Sequence, residues 1–376
     1  MIIKKKIFSD SKRHSYYWDV EKNKSIFILD GEGSSNLIPS FNGRSFFINN
    51  RNTTYIRILI ESIFIHLPLS LSSLRYFYHM RMITKVNPKL IISLTDNSFF
   101  YSKIDQKISN QIPFLTIQNG THYVGDIEEA GEGFKHGLLN KKTFYSNLAC
   151  ISQHEVDYYS DKGLQVEKYH KLGSLKISGY TKDFVVKPKK FDLCIVGNSV
   201  NNRPANIIVW KLILEYINSY DVSICIVLKS KIAFKNQPLF DYFKNTSAVF
   251  VANTPISSHY HSDISKVTIG FASTLLRQTF SRGNKIYPLN FGPGLMDTPF
   301  ELLGHELRPS YSEFESYLSH LLALSDKEYI HQYKGLMKYL DTFNPKFPPA
   351  LKLEALITEL IMTKLFSKNI GIKHSD

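Results

Sequence analysis

Pro88-Lys89-Leu90-Ile91-Ile92-Ser93-Leu94-Thr95-Asp96-Asn97-Ser98 is the stretch on which the fold turns. An apolar, β-branched run stops at Asp96-Asn97-Ser98, and Phe99-Phe100-Tyr101 opens a helical pattern. A second run, Phe114-Leu115-Thr116-Ile117, follows Pro113 and stops at Gln118-Asn119-Gly120-Thr121-His122. Two buried strands joined by a helix make a βαβ unit. Right-handed units of this kind bring their strand ends to one edge of a parallel sheet, where ligands of open α/β sheets bind. Asp96, Asn97, Gln118, Asn119 and His122 are therefore expected to line one cleft. The blander alternative is that Asp96-Asn97 caps the next helix and Asn119-Gly120 is a turn.

Working outward, the same alternation runs through the chain. Ser25–Leu29 and Arg44–Ile48 read as strands, and a long helical stretch is expected over about 54–85. Leu148–Ile151 is a further strand, with a helix from Gln153 to Lys162. Residues 175–190 read as a linker. The pattern restarts with strands at Phe191–Val196, Val222–Leu228, Ala248–Val251, Val267–Gly270 and Lys285–Leu289. Helices are expected at about 204–219, 238–244, 275–282, 311–323 and 326–341. Strands alternating with helices, twice over, predict two Rossmann-like, doubly wound α/β domains facing across a cleft. The expected boundaries are 1–178 and 191–344, with a linker at 179–190. A last helix at about 350–366, within a 345–376 tail, is expected to pack back toward the N-terminal domain.

The 376 residues suit two domains, and 43% hydrophobic with 21% charged residues suits a globular protein. Cys150, Cys194 and Cys225 lie far apart, without a CxxC, which argues against a zinc site or a disulfide framework. A net charge of +13 implies an anionic partner. A phosphorylated small molecule and an anionic membrane surface rank above nucleic acid, because the basic residues are scattered and no nucleic-acid motif is present. Ile56–Leu74 has roughly the length of a membrane span but contains Arg57, Glu61, His66 and Pro68. Ile56, Ile60, Ile63 and Phe64 then form either a core-facing stripe, the favoured reading, or a membrane-contacting face. The Gly- and Lys-rich stretch 125–140, with Glu128, Glu129, Glu132 and His136, reads as a surface loop or an acceptor contact.

Three strand ends in the second half converge on an anion. Gly197-Asn198-Ser199 precedes a helix, where free N–H groups can meet phosphate. Lys229 ends the next strand. Ser273-Thr274 ends another and opens a helix, with Arg277 one turn further in. A Ser-Thr pair before a helix can equally be a plain cap. No P-loop or DxD is present, so no motif-defined metal is expected, and basic side chains with helix ends would stabilise a leaving phosphate. His259-Tyr260-His261 is expected in a loop at the surface, and Gly292-Pro293-Gly294 in a turn bordering the ligand.

Residues Asp96-Asn97-Ser98, Gln118-Asn119-Gly120, Leu172-Gly173-Ser174 and Gly270-Phe271-Ala272-Ser273-Thr274 with Arg282-Gly283-Asn284-Lys285 resemble bacterial surface-carbohydrate biosynthesis proteins, transferases of GT-B-like fold. The resemblance implies a glycosyltransferase moving a sugar from a nucleotide-sugar donor to a surface glycan or glycolipid of the O-antigen, capsule or lipooligosaccharide kind. It would be cytoplasmic, either free or peripheral on the inner face of the membrane, and would need no cofactor. Asp96 would be the catalytic carboxylate, with His122 as the alternative base. Asn97, Gln118 and Asn119 would orient the acceptor sugar, and Gly197, Asn198, Ser199, Lys229, Ser273, Thr274 and Arg277 would hold the donor. Gln278 stands where such donor sites often carry a ribose-binding Glu. Asn119-Gly120 replaces the His-Gly of polyol-phosphate transferases. Transfer of a polyol phosphate from a CDP-linked donor, or a non-catalytic glycan- or nucleotide-binding partner, are the alternatives.

Overall fold

The structure is a computed structural model. It describes residues 15–30, 41, 43–49, 53–65, 70–120, 123–125, 138–177, 188–196, 204–228, 243, 246–252, 255–271, 273–291, 299–341, 344 and 346–369. The chain divides into two compact units: 1–150, 155–175 and 349–376 form one, and 151–154 with 176–348 form the other.

The first unit contains β1 (Ser15–Tyr17), β2 (Ile26–Ile28), β3 (Phe46–Ile48), β4 (Thr53–Tyr55), α1 (Ile56–Ile65), α2 (Leu71–Val86), β5 (Leu90–Ser93), α3 (Phe99–Ile108), β6 (Phe114–Ile117), β7 (Tyr123–Gly125), β8 (Leu138–Asn140) and β9 (Phe144–Cys150). After α4 (Gln153–Asp161), in which the division between the units falls, β10 (Gln165–Lys171) completes its main sheet. That sheet is parallel throughout, in the order β10-β9-β6-β5-β2-β3. Successive side chains point to opposite faces, so the central strands β2, β5 and β6 supply both cores. Ile26, Ile28, Leu90, Ile92, Leu115 and Ile117 form one of them, and Phe27, Leu29, Ile91 and Phe114 join the helical residues Ile58, Met82, Ile83, Tyr101 and Ile104 in the other.

The expected single helix at 54–85 is instead a strand and two helices. Residues 66–69, with His66 and Pro68, lie outside the described residues. Ser70 caps α2 by accepting from the Ser73 N–H. The helix ends at Asn87, whose φ of 51° turns the chain into Pro88. β10 has no counterpart among the sequence expectations. Its Gln-Val-Glu-Lys-Tyr-His-Lys pattern has no apolar run, as suits a strand at the sheet edge.

The second unit contains β11 (Phe191–Val196), α5 (Pro204–Ser219), β12 (Ile224–Leu228), β13 (Val249–Ala252), α6 (Pro255–Asp263), β14 (Ser265–Phe271), α7 (Thr274–Ser281), β15 (Lys285–Leu289), α8 (Tyr311–Ala323) and α9 (Asp326–Leu340). Its sheet is also parallel, ordered β13-β12-β11-β14-β15. Leu193, Ile195, Ile224, Ile226, Val267 and Ile269 pack on Trp210, Ile213 and Tyr216 of α5 and on Phe314 and Leu318 of α8. Cys194 and Cys225, paired in register, are buried free thiols that pack with Val227. Ser310 with Glu313 and Ser325 with Glu328 form complete capping boxes, which fix the starts of α8 and α9. The helix expected at 238–244 lies outside the described residues except for Phe243.

The last helix, α10 (Pro349–Asn369), belongs to the first unit. Leu353, Leu356, Ile357, Leu360 and Ile361 have helical spacing and complete the core around Ile28 and Leu90. Lys168 Nζ reaches Glu359 Oε1 at 2.8 Å, and Arg44 Nη2 reaches Thr358 Oγ1 at 2.8 Å. No described helix is long and apolar enough to cross a membrane.

Candidate functional site

Each sheet has one place where the strand order reverses, and there the loops after two neighbouring strands diverge and leave a crevice. In the first sheet β3 lies to one side of β2, while β5, β6, β9 and β10 run to the other, so the reversal falls between β2 and β5. β2 leads to Asp30 and β5 to Thr95 and Asp96. Thr95 Oγ1 donates to Asp30 Oδ2 at 2.8 Å, tying the two strand ends together. Asp30 is 1% exposed and Asp96 2%, whereas Asn97 and Asn119 are exposed.

Packing behind these residues fixes them. The Tyr145 hydroxyl on β9 donates to the Asp96 backbone carbonyl. Burial, followed by the nearby Asp96 charge, pushes the Tyr145 phenol well above its usual pKa, so it stays a donor. Ser98 caps α3 by accepting from the Tyr101 N–H. Beneath, Asp105 accepts from the Ser146 N–H at 2.9 Å and from the Ser146 hydroxyl at 2.6 Å, locking α3 onto β9. Burial lifts the Asp105 carboxyl to about 7, against those two bonds. On the other flank, Asn49 Nδ2 donates to the Leu29 carbonyl and meets His79 Nε2 at 3.2 Å. His79 Nδ1–H reaches the Arg75 carbonyl, so Nε2 is the accepting nitrogen. Burial lowers His79 to about 4 and keeps the ring neutral.

Gln118 is 7% exposed, and its Nε2 donates to the Gly120 carbonyl at 2.7 Å and to the Tyr159 hydroxyl at 3.0 Å. The amide expected to orient a sugar hydroxyl thus braces its own turn against α4. His122 lies outside the described residues, as do Glu128, Glu129, Glu132 and His136.

In the second sheet the reversal falls between β11 and β14. These strands lead to Gly197-Asn198-Ser199 and to Ser273-Thr274, the two clusters that the sequence nominates. Residues 197–199, Lys229 and 292–294 lie outside the described residues. Gly270 lets the two strands close up, since a Cβ there would meet Val196 Cβ at 3.1 Å. Ser273 caps α7, its Oγ accepting from the Leu275 N–H at 3.3 Å, and both Ser273 and Thr274 are half-buried.

Arg277, expected on a phosphate, is 1% exposed. Its guanidinium donates to the Leu340 carbonyl, 3.1 Å from Nε, and to Ser152 Oγ at 3.2 Å. It anchors α7 from behind. His259-Tyr260-His261, expected in a surface loop, lies instead on α6, and His259 is 2% exposed. Pro255 at the first helical position was the available signal. His259 belongs to a buried network around Arg282, whose Nε and Nη2 reach Asp263 Oδ1 at 3.1 and 2.8 Å. Arg282 Nη1 also donates to the Gln278 carbonyl at 2.7 Å and to His259 Nδ1 at 3.2 Å. Burial, then the Arg282 and Lys176 charges, lowers His259 to about 3. Asn284 Nδ2 completes the shell of Asp263 Oδ1 at 2.8 Å. This network holds α6 to α7, the helix that presents Ser273 and Thr274.

Among the described residues no group of three or more His, Cys, Asp or Glu side chains is placed to hold a metal ion. One crevice residue, Asp30, and one supporting pair, Asp105 with Ser146, have no counterpart among the candidate residues read from sequence. Asp30 opens the sequence Asp30-Gly31-Glu32-Gly33, which is not a GxGxxG motif, and an acid directly after a strand was its signal. The Asp105–Ser146 pair joins residues 41 positions apart, which no local pattern encodes.

Neither a known protein family nor a curated protein matches the sequence. Solved structures do match its fold. The chain is similar to MnaA of S. aureus, solved with UDP, at 13% identity and a TM-score of 0.59, over 93% of this chain and 98% of that one. It is similar to the UDP-GlcNAc 2-epimerase of Neisseria meningitidis, solved with UDP-GlcNAc, at 10% identity and 0.53, over 90% and 99%. A UDP-glucose:anthocyanidin 3-O-glucosyltransferase in complex with UDP matches at 12% identity and 0.53, over 91% and 100%. At these identities the likeness is one of fold: two Rossmann-like units of GT-B-like architecture, as the strand alternation predicts.

Proposed function

We propose that the protein is a glycosyltransferase that moves a sugar from a nucleotide-activated donor to a bacterial surface glycan. The observation that carries this reading is the position of the order reversals. In the second sheet the reversal separates the two strands that continue into Gly197-Asn198-Ser199 and Ser273-Thr274. This unit is assigned the nucleotide. Ser273, Thr274 and the amides of 197–199 meet its phosphates, Lys229 adds charge, and Arg277 holds α7 in place. In the first sheet the reversal is flanked by Asp30 and Asp96, and this unit is assigned the acceptor. Asp96, withdrawn from bulk water, is the catalytic carboxylate, either a general base or a nucleophile. His122 is the alternative base. Asn97, next to Asp96 in the chain, and Asn119, both exposed, orient acceptor hydroxyls, while Gln118 fixes the turn that carries Asn119. The solved relatives of this fold that carry UDP or UDP-GlcNAc support a UDP-sugar as the donor.

Full-length coverage of the epimerases supports a second reading, epimerisation of a UDP-sugar. NMR of UDP-sugars without acceptor separates the two, because an epimerase interconverts sugars with no second substrate. In the transferase reading, Asp96→Asn lowers turnover about 10³-fold or more and leaves UDP affinity within about twofold. Turnover at the wild-type rate would remove Asp96 from the mechanism. Ser273→Ala with Thr274→Ala weakens UDP binding, and unaltered affinity would move the donor site elsewhere.

A further inference from the structure

Helices α2 and α3 carry five cationic side chains; Arg81 and Lys85 pair with Glu61 of α1 at 2.6 and 3.0 Å, which leaves Arg75, Lys103 and Lys107 to the groove. The single acid of the two helices, Asp105, is fully buried. Between the two helices runs an open groove of about 680 Å³ lined by Ser72, Ser73, Tyr76, Phe77, Phe99, Phe100, Lys103, Gln106 and Lys107. Its aromatic floor is held next to charge, with Arg75 Cζ 4.5 Å from the Phe100 ring centroid and Lys103 Nζ 4.7 Å from that of Phe99. Among the described residues no acid lines it.

Large apolar side chains stand out around this groove. Leu71, beside Ser72, is 87% exposed, and Phe99 is 44% exposed. On α1, which packs against α2, Ile60, Phe64 and Ile65 are 41%, 75% and 57% exposed. The favoured expectation of a core-facing stripe on α1 is thereby corrected: Ile58 and Ser62 face inward, while Ile60 and Phe64 of the stripe face solvent. Aromatic and aliphatic groups framed by Arg75, Lys103 and Lys107, with no exposed acid on α2 or α3 and with Glu61 of α1 already paired to Arg57, Arg81 and Lys85, complement an anionic lipid surface. The apolar groups enter the acyl boundary and the cations meet headgroup phosphates. A sugar site would set several acids or amides around the ligand, whereas this groove offers a single amide, Gln106, and a protein partner would be expected to meet unpaired charges of both signs.

We infer that the α2–α3 groove, with Leu71 and Phe99 at its rim, is a docking surface for an anionic membrane. The groove includes the first turn of α3, three residues beyond Asp96, so docking brings the acceptor-binding edge of this unit to the bilayer. The inference deepens the proposed function, on which it rests only for its purpose.

The test is co-sedimentation of the full chain with vesicles of phosphatidylcholine alone and of phosphatidylcholine mixed with phosphatidylglycerol, at low and high salt. Wild type is expected to partition onto the anionic vesicles at low salt and to detach as salt rises. Lys103→Gln with Lys107→Gln is expected to weaken partitioning about 30-fold, and Leu71→Ser about tenfold. All three side chains are exposed, so the thermal midpoints of the variants should match wild type. Absence of binding, equal binding to neutral vesicles, or anionic binding that these folded variants leave unchanged would overturn the inference. So would a concentration-dependent dimer that Leu71→Ser dissolves, because the face would then meet a second copy of the chain. UDP binding is read on the same preparation by thermal shift. UDP binding without vesicle binding overturns only the docking surface, and vesicle binding without UDP binding overturns only the proposed reaction.

Discussion

Removing the carboxylate of Asp263 should damage the second unit more than any surface change. The Arg282 side chain is 0% exposed, and two of its nitrogens share Asp263 Oδ1, the same oxygen that receives Asn284. Asp263→Ala leaves a buried guanidinium without its counter-ion, which costs about 3–5 kcal/mol. In a unit of this size each kcal/mol moves the melting midpoint by about 2–4 °C, so a fall of about 6–20 °C is expected. Asp263→Asn keeps an accepting oxygen and should lose about half as much. Combining Asp263→Ala with Arg282→Met removes both charges and should recover part of the loss. The assay is tryptophan fluorescence during guanidinium unfolding. The chain has two tryptophans; Trp210 is buried in this unit, whereas Trp18 of the first unit is 56% exposed. The emission change therefore reports mainly on the second unit. A loss below about 1 kcal/mol for Asp263→Ala, or a double variant worse than the sum of its parts, would refute the view that charge pairing holds α6 to α7.

Further expectations concern pH and packing. Asp105 has a folded pKa raised to about 7, so the folded state keeps a proton that the unfolded chain releases. Its contribution is fully present below the ordinary carboxylate range and is lost as pH rises through 7, worth at most about 4 kcal/mol. Asp105→Asn should flatten first-unit stability between pH 5 and about 8 by urea titration; an unchanged slope would mean the carboxyl ionises without cost. His79 and His259 run the other way. Lowered to about 4 and about 3, they leave stability untouched above their ordinary range and cost it as pH falls from about 6.5. His259→Gln should flatten that acid limb in the Trp210 signal, and an identical limb would place the titration elsewhere. Gly270→Ala, forced against Val196, should destabilise the second sheet by about 1–3 kcal/mol and weaken UDP binding in a calorimetric titration.

The alternation of apolar runs and helical stretches was enough to read the second sheet and all but one strand of the first main sheet, because parallel strands buried on both faces are short and uniformly apolar. The starts of α8 and α9 were equally plain, since Ser310-x-x-Glu313 and Ser325-x-x-Glu328 write their caps into the sequence. β10 was not, because an edge strand needs no apolar run and its polar residues imitate a loop. Asp96 and Ser273, singled out in the sequence because an acid or hydroxyl closes a strand, follow strands that flank the order reversals. What stood behind them was not legible. Arg277 looks like a phosphate ligand in sequence, and only the fold reveals the Leu340 carbonyl and Ser152 hydroxyl that occupy it. Asp105 and the Asp263–Arg282 network likewise depend on partners brought together by the tertiary structure.

Nucleotide binding is the claim on which the proposed chemistry stands, and a thermal-shift titration of the intact protein with UDP and UDP-sugars measures it directly. A ligand that binds the folded state at a hundredfold excess over its Kd adds about 2.7 kcal/mol, which corresponds to a rise of about 5–10 °C. The account predicts that rise for UDP, and its reduction in Ser273→Ala with Thr274→Ala. No shift with any uridine, cytidine, guanosine, thymidine or adenosine diphosphate at millimolar concentration would contradict it.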